Sequence, residues 1–256
     1  MRFKGLAKRN FLEMIRDPLT SLLGILFPSI LLIMFVLINR AATEKLPIFE
    51  VGAILPGIIV LGFCLDMILI ANFICKDKDD SLMARFQTLP LRPVDFVLAY
   101  SVPFLAFSLI QIVFTFLIGF VVGLQATVGI LVAIPLLWFF SLFFIALGII
   151  LGTSGSTNLV LSLGNVLVFV ITFLSGAWMD LNWLGGFGKF ARALPFANAV
   201  EAGRELIAWN GFNFNHLYFI FGYTLLIVGV CILVFVLMLK RKAISRGKNK
   251  TKKEQN

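Results

Sequence analysis

From Phe96 to Met179 the sequence contains no Asp, Glu, Lys or Arg, a run of 84 residues. The hydrocarbon core of a bilayer is crossed by roughly 20 residues of helix. The run must therefore hold several crossings joined by short uncharged turns. A water-soluble domain built around such a run would have no material for its surface. Soluble proteins carry about a quarter charged residues, whereas this chain carries 14% and is 60% hydrophobic. The mean hydropathy of +1.00 agrees. The fold class that follows is an all-α integral membrane protein.

Six transmembrane helices are predicted, near residues 19–38, 51–75, 96–122, 129–152, 159–178 and 217–239. They divide the chain into an interfacial segment (1–18), a six-span domain (19–239) and a basic cytoplasmic tail (240–256). With both the N and C termini in the cytoplasm, 17 of the 22 Lys and Arg residues lie inside. The five outside are Arg40, Lys45, Lys189, Arg192 and Arg204. This bias is the positive-inside pattern of an even-span protein. The tail KRKAISRGKNKTKKE has the charge to bind nucleic acid, but beside a span its role is topology and contact with anionic lipid. Membrane lipids are expected partners and nucleic acid is not. Cys64, Cys75 and Cys231 are odd in number and lie in or at the ends of spans, with neither a disulfide framework nor a metal spacing. His216 is the only histidine and stands alone. The first apolar stretch is too long for a signal-peptide core, and no small-x-small cleavage site follows it, so it should remain as a span.

Phe3–Arg16 reads as an amphipathic helix. Phe3, Leu6, Ala7, Phe11, Met14 and Ile15 share one broad face, and Arg2, Lys8, Arg9 and Arg16 share the other, with Lys4 and Leu12 as imperfections. Such a helix is expected to lie on the inner membrane surface, apolar side in lipid and basic side toward headgroups. Phe11, Arg16 and Asp17 are its candidate functional positions. Asp17-Pro18 then turns the chain into the first span.

Lys76–Asp95, KDKDDSLMARFQTLPLRPVD, is a charged island expected to begin where the second span ends. Asp79, Asp80 and Ser81 suit a helix N-terminus. Leu82, Phe86 and Leu89 fall at i, i+4 and i+7 with Met83 beside them, and Pro90 and Pro93 end the helix. A helix this short is unstable alone and needs something to pack on. Two readings stay open. The helix rests on its own lipid headgroups, or it docks a cytoplasmic partner through Asp80, Leu82, Met83, Phe86 and Leu89.

Ala177–His216 is outside and too long for a tight turn, and long loops without structure are uncommon. It is predicted to form two short helices dipping into the outer leaflet, with Trp178, Trp183 and Trp209 in the interfacial belt. An ordinary surface loop is the alternative.

No P-loop, HExxH, GxSxG or paired-histidine pattern occurs, so no catalytic, cofactor-binding or metal-binding residue is expected on this chain. Asp66 is the single acid well inside a span. Such a carboxylate is costly in lipid and faces protein or water. It is a candidate for the substrate pathway together with Asn165, or it pairs with a polar group such as Asn165 or Gln111, or it has a purely structural role. Gln111, Thr115, Asn158, Asn165 and Thr172 are expected to make inter-helix hydrogen bonds.

Taken in order, these features resemble the type-2 permease subunits of ABC exporters, a class that handles drugs, lantibiotics, polysaccharides or lipids. The resemblance covers nearly the whole chain. It rests on the opening helix ending Arg16-Asp17-Pro18, on Pro28, on Pro56-Gly57, on an island ending Thr88-Leu89-Pro90, and on Ser175-Gly176, Leu194-Pro195 and Arg204. Ser81 departs from the family, which often has glycine there. The resemblance implies two permease subunits, a second copy or a similar one, with two P-loop ATPase subunits below. The island would then act as a coupling helix. ATP and Mg would sit on the ATPase partner, with no cofactor on this chain. Gly176, Pro195 and Arg204 would mark the outer gate. Spans one, two and five would line the subunit interface. The location implied is a bacterial plasma membrane, and the activity is outward movement of an amphiphile. The competing readings are a secondary transporter or channel, which would need charged relays or an internal repeat, and a membrane immunity or sensor protein that does not pump.

Overall fold

A computed structural model describes residues 3–18, 22–79, 93–209 and 211–253. Among them there is no strand, and six helices are long and apolar enough to cross a membrane. The N-terminal helix is α1 (Phe3–Arg16). The spans are α2 (Leu22–Ala41), α3 (Val51–Asp79), α4 (Pro93–Val121), α5 (Gly129–Ser154) and α6 (Thr157–Leu174). Two short helices follow, α7 (Gly186–Arg192) and α8 (Pro195–Ala208). The last span belongs to α9 (Asn215–Lys253), which continues without a break into the basic tail. α3 likewise runs to Asp79, four residues past the expected end of the second span.

α3 is the most buried span and forms the axis of the bundle. It packs on α2, α4, α5, α6 and α8. Its tightest neighbour is α5, and the reason is a small-residue stripe. Gly148 and Gly152 lie one turn apart on α5, a spacing that lets two helix backbones approach closely. A Cβ on Gly148 would stand 2.6 Å from the Met67 carbonyl oxygen, and one on Gly152 would stand 2.7 Å from that of Ala71. Around this seam Phe63, Phe140 and Phe144 are fully buried and pack ring to ring.

α2 opens with a π-helical turn, Leu22–Leu26, directly before Pro28. Proline removes a backbone donor and crowds the preceding turn, and a locally wider turn accommodates it. Gly24 lies inside that turn and is buried against α4, where any side chain would collide with the Phe107 ring.

Two expectations change. α1 does not simply lie with its apolar side in lipid. Ala7, Asn10 and Met14 are buried against α4, the Asn10 amide donates to the Ala99 carbonyl (3.2 Å), and the apolar Leu12 and Ile15 are exposed. α8 does more than dip into a leaflet. Ten of its residues are buried, and it packs on α3, α5 and α9.

Candidate functional site

Three sites hold the polar chemistry, one at each end of the bundle and one between.

At the end shared with α1, Lys76, Asp77, Lys78 and Asp79 of α3 each bind a neighbouring segment. Lys76 pairs with Glu13 of α1 (3.4 Å). Asp77 is 2% exposed and accepts from Arg9 of α1 (2.9 Å) and from the Tyr100 hydroxyl of α4. Burial alone would lower the Arg9 guanidinium, but its hydrogen bond to Asp77 and the charges of Asp77 and Glu13 raise it above its ordinary value. Lys78 donates to the carbonyls of Gly152 (3.0 Å), Thr153 (3.1 Å) and Gly155 (2.6 Å), covering the C-terminus of α5. A cation there meets the terminal carbonyls, two of which also accept from the Cys75 thiol, and the negative end of the helix dipole. Asp79 accepts from Thr157 at the start of α6 (3.1 Å).

This arrangement corrects one reading of the island. Asp79 does not begin a helix; it continues α3, which is described as far as that residue. Arg9, on the basic face of α1, pairs with the buried carboxylate of Asp77, which requires a cation. Phe11 is half-buried, and Arg16 and Asp17 are exposed, with the Asp17 amide bonded to the Glu13 carbonyl (3.1 Å). Asp80, Leu82, Met83, Phe86 and Leu89 lie outside the described residues.

Between the two ends, Asp66 is 2% exposed, and neither carboxylate oxygen has a hydrogen-bond partner among the described residues. Gly24 of the π-helical turn faces it, and a Cβ there would lie 3.1 Å from Asp66 Oδ1. Neither suggested partner reaches it. Gln111 donates to the Ile59 carbonyl (3.3 Å), which ties α4 to α3, and Asn165 is exposed on the outer face of α6. Thr115 and Thr172 bond to carbonyls of their own helices, at Gln111 and Val168. A threonine hydroxyl reaches the preceding turn easily, and Thr172 also hydrogen-bonds with the Cys64 thiol of α3, which ties α6 to α3.

At the end that the charge bias assigns to the outside, Gly176, Pro195 and Arg204 belong to one construction. Pro195 stands in the first turn of α8, where a missing N–H costs nothing. α8 carries Arg204, whose Nε donates to the Ala53 carbonyl of α3 (2.7 Å) and whose NH2 donates to the Gly176 carbonyl (2.8 Å). Gly176 has φ +71°, a left-handed conformation suited to glycine. Burial pulls the Arg204 guanidinium below its ordinary value, partly offset by Glu201 and Asp180. Pro56 and Gly203 pack where α3 meets α8, and a Cβ on Gly203 would stand 2.7 Å from Pro56.

His216 is not alone either. Its Nδ1 lies 2.8 Å from Asn198 Oδ1, and its Nε2 lies 3.4 Å from Glu205 Oε1. The Asn198 amide nitrogen already donates to the Arg192 and Leu194 carbonyls. Its oxygen must therefore accept, which places a proton on Nδ1. This cluster joins α8 to α9. Residue spacing gave no signal for it, because Asn198 and His216 are 18 positions apart.

No group of three or more His, Cys, Asp or Glu residues suited to a metal occurs among the described residues. The arrangement has helices tied together at both ends around a buried acid. The chain significantly matches no curated protein sequence. The family model described as ABC-2 type transporter matches residues 1–208, which take in α1, five spans and the outer helices through Arg204. The chain belongs to the ABC-2 type transporter family and is a multi-pass membrane permease subunit, a family that implies an ATP-binding partner.

Proposed function

We propose that this permease is the membrane half of an exporter in the bacterial plasma membrane, moving an amphiphile outward on the energy of two separate P-loop ATPase subunits. Two copies pair. The island at 76–95 receives the ATPase through Asp80, Leu82, Met83, Phe86 and Leu89, and ATP and Mg stay on the partner. The observation that carries this reading is the family match over residues 1–208. The attachments of Lys76–Asp79 support the coupling role. A displacement of the adjoining segment acts on α1, α4, α5 and α6 through one ion pair or hydrogen bond each, or more. Those elements then carry motion to the outer helices, since α3 and α5 both pack on α8.

The test is ATPase activity of the reconstituted complex across peptides, drugs and lipid-linked sugars. A stimulating compound identifies the substrate class. Phe86→Asp or Leu89→Asp is expected to abolish export of that compound while membrane insertion and expression stay normal. Export unchanged by both substitutions overturns the coupling role, and failure of the chain to co-purify with a P-loop ATPase overturns the assembly.

A further inference from the structure

At the end of the bundle opposite the termini there is a cavity of about 490 Å³. It lies between the end of α2, the 42–50 loop, the first turn of α3, the α4–α5 turn and the end of α8. Hydrogen bonds hold its walls. Asn39 exchanges two with Leu46, at 2.8 and 3.1 Å, which fixes the loop over the cavity. Arg40 donates to the Val122 carbonyl at the end of α4, and Thr127 donates to the Ile207 carbonyl at the end of α8 (2.8 Å). The size is that of a small-molecule site.

Its lining combines three charges with an apolar floor. Arg40, Lys45 and Glu50 all border it, and among the described residues none of the three forms an ion pair. The floor includes Val36, Leu124 and Ile207. Two cations and a carboxylate that share a cavity without neutralising one another are complementary to a ligand carrying both signs. The location selects the ligand further. The cavity stands at the ends of the spans, where headgroups lie, and its rim is flanked by Leu37, Ile38 and Val128, all more than half exposed.

We propose that this cavity binds the headgroup of a zwitterionic phospholipid, with the phosphate at Arg40 and Lys45 and the primary ammonium at Glu50. The apolar floor receives the glycerol and the first methylenes of the acyl chains. A headgroup with net negative charge is disfavoured by the Glu50 carboxylate, and a choline headgroup lacks the N–H donors that a carboxylate accepts.

The full chain is purified from nanodiscs of equal phosphatidylethanolamine, phosphatidylglycerol and phosphatidylcholine, and retained lipids are counted by native mass spectrometry. The wild type is expected to retain phosphatidylethanolamine preferentially. Lys45→Gln should reduce that retention about tenfold, the value of one charge-assisted hydrogen bond. Glu50→Gln should abolish the preference over phosphatidylglycerol while keeping phosphate binding. Both residues are exposed, so neither change threatens the fold. Equal retention of the three lipids by the wild type, or identical retention by wild type and both variants, overturns the proposal. Free phosphoethanolamine distinguishes lipid from soluble ligand. Displacement only by the diacyl lipid supports the proposal, and equal displacement by the free headgroup overturns it.

Discussion

The Arg204 guanidinium joins three pieces of backbone, because its two donors reach carbonyls on α3 and on the turn after α6 while its own helix is α8. Truncation would leave both carbonyls without that donor. Arg204→Met is expected to cost about 2–3 kcal/mol, read as a lowered melting temperature of the detergent-solubilised chain, with Arg204→Lys recovering only part because lysine cannot present two forked donors. Asp66 is the opposite case, a buried carboxylate with no partner among the described residues. If it contacts substrate, Asp66→Asn lowers substrate-stimulated ATPase activity while basal ATPase and melting temperature hold. Unaltered transport of every tested compound removes it from the pathway. Lys78 acts at this scale too. Its charge was read in the sequence as a topology signal, yet its position puts it on the carbonyls of Gly152 and Thr153 in α5 and of Gly155 just beyond it.

At the scale of helices, close approach matters more than polarity. α3 and α5 meet through Gly148 and Gly152, where a Cβ would press on the α3 backbone. Gly148→Val should therefore separate the two central helices at a cost of roughly 1–3 kcal/mol, seen as a lower melting temperature and a loss of folded protein on size exclusion. Gly222 and Gly229 of α9 face open space in this chain, so Gly229→Ala is the matched control and should leave both readouts unchanged. The two end networks supply specificity that apolar packing lacks. Arg9 and Asn10 set the register of α1 on the bundle, and His216 with Asn198 and Glu205 sets that of α8 against α9. The hydrophobic pattern of α1 was legible in the sequence, but its division between protein and exposed surface was not. Which stripe of an amphipathic helix meets protein depends on a partner 68 positions away.

For the whole molecule, the exposed surface is uneven. α2, α6 and α9 are the least buried spans, and Asn165 lies on the exposed face of α6 among Leu163, Val166 and Phe169. An amide facing hydrocarbon is costly without a partner, which a second copy of the chain would supply. With Cys64, Cys75 and Cys231 replaced by alanine, Asn165→Cys should form a disulfide-linked dimer on oxidation in membranes, whereas Leu225→Cys on α9 should not. Only monomer at both positions would exclude α6 from the pairing face.

The amino-acid sequence by itself determined the membrane, the six crossings and the short outer helices, because the bilayer imposes lengths and charge placements that any chain must display along its length. The resemblance to a family named Gly176, Pro195 and Arg204 together. Only the tertiary structure decided what these residues touch. Arg204 reaches a carbonyl 151 positions away, Asp77 takes its cation from α1, Asp66 meets neither Gln111 nor Asn165, and Lys45 and Glu50 border one cavity. Nearly every span here is apolar on all faces. Periodicity therefore carries little information about which face turns inward, and the choice falls to glycine seams and to a few charges that must find partners across the bundle.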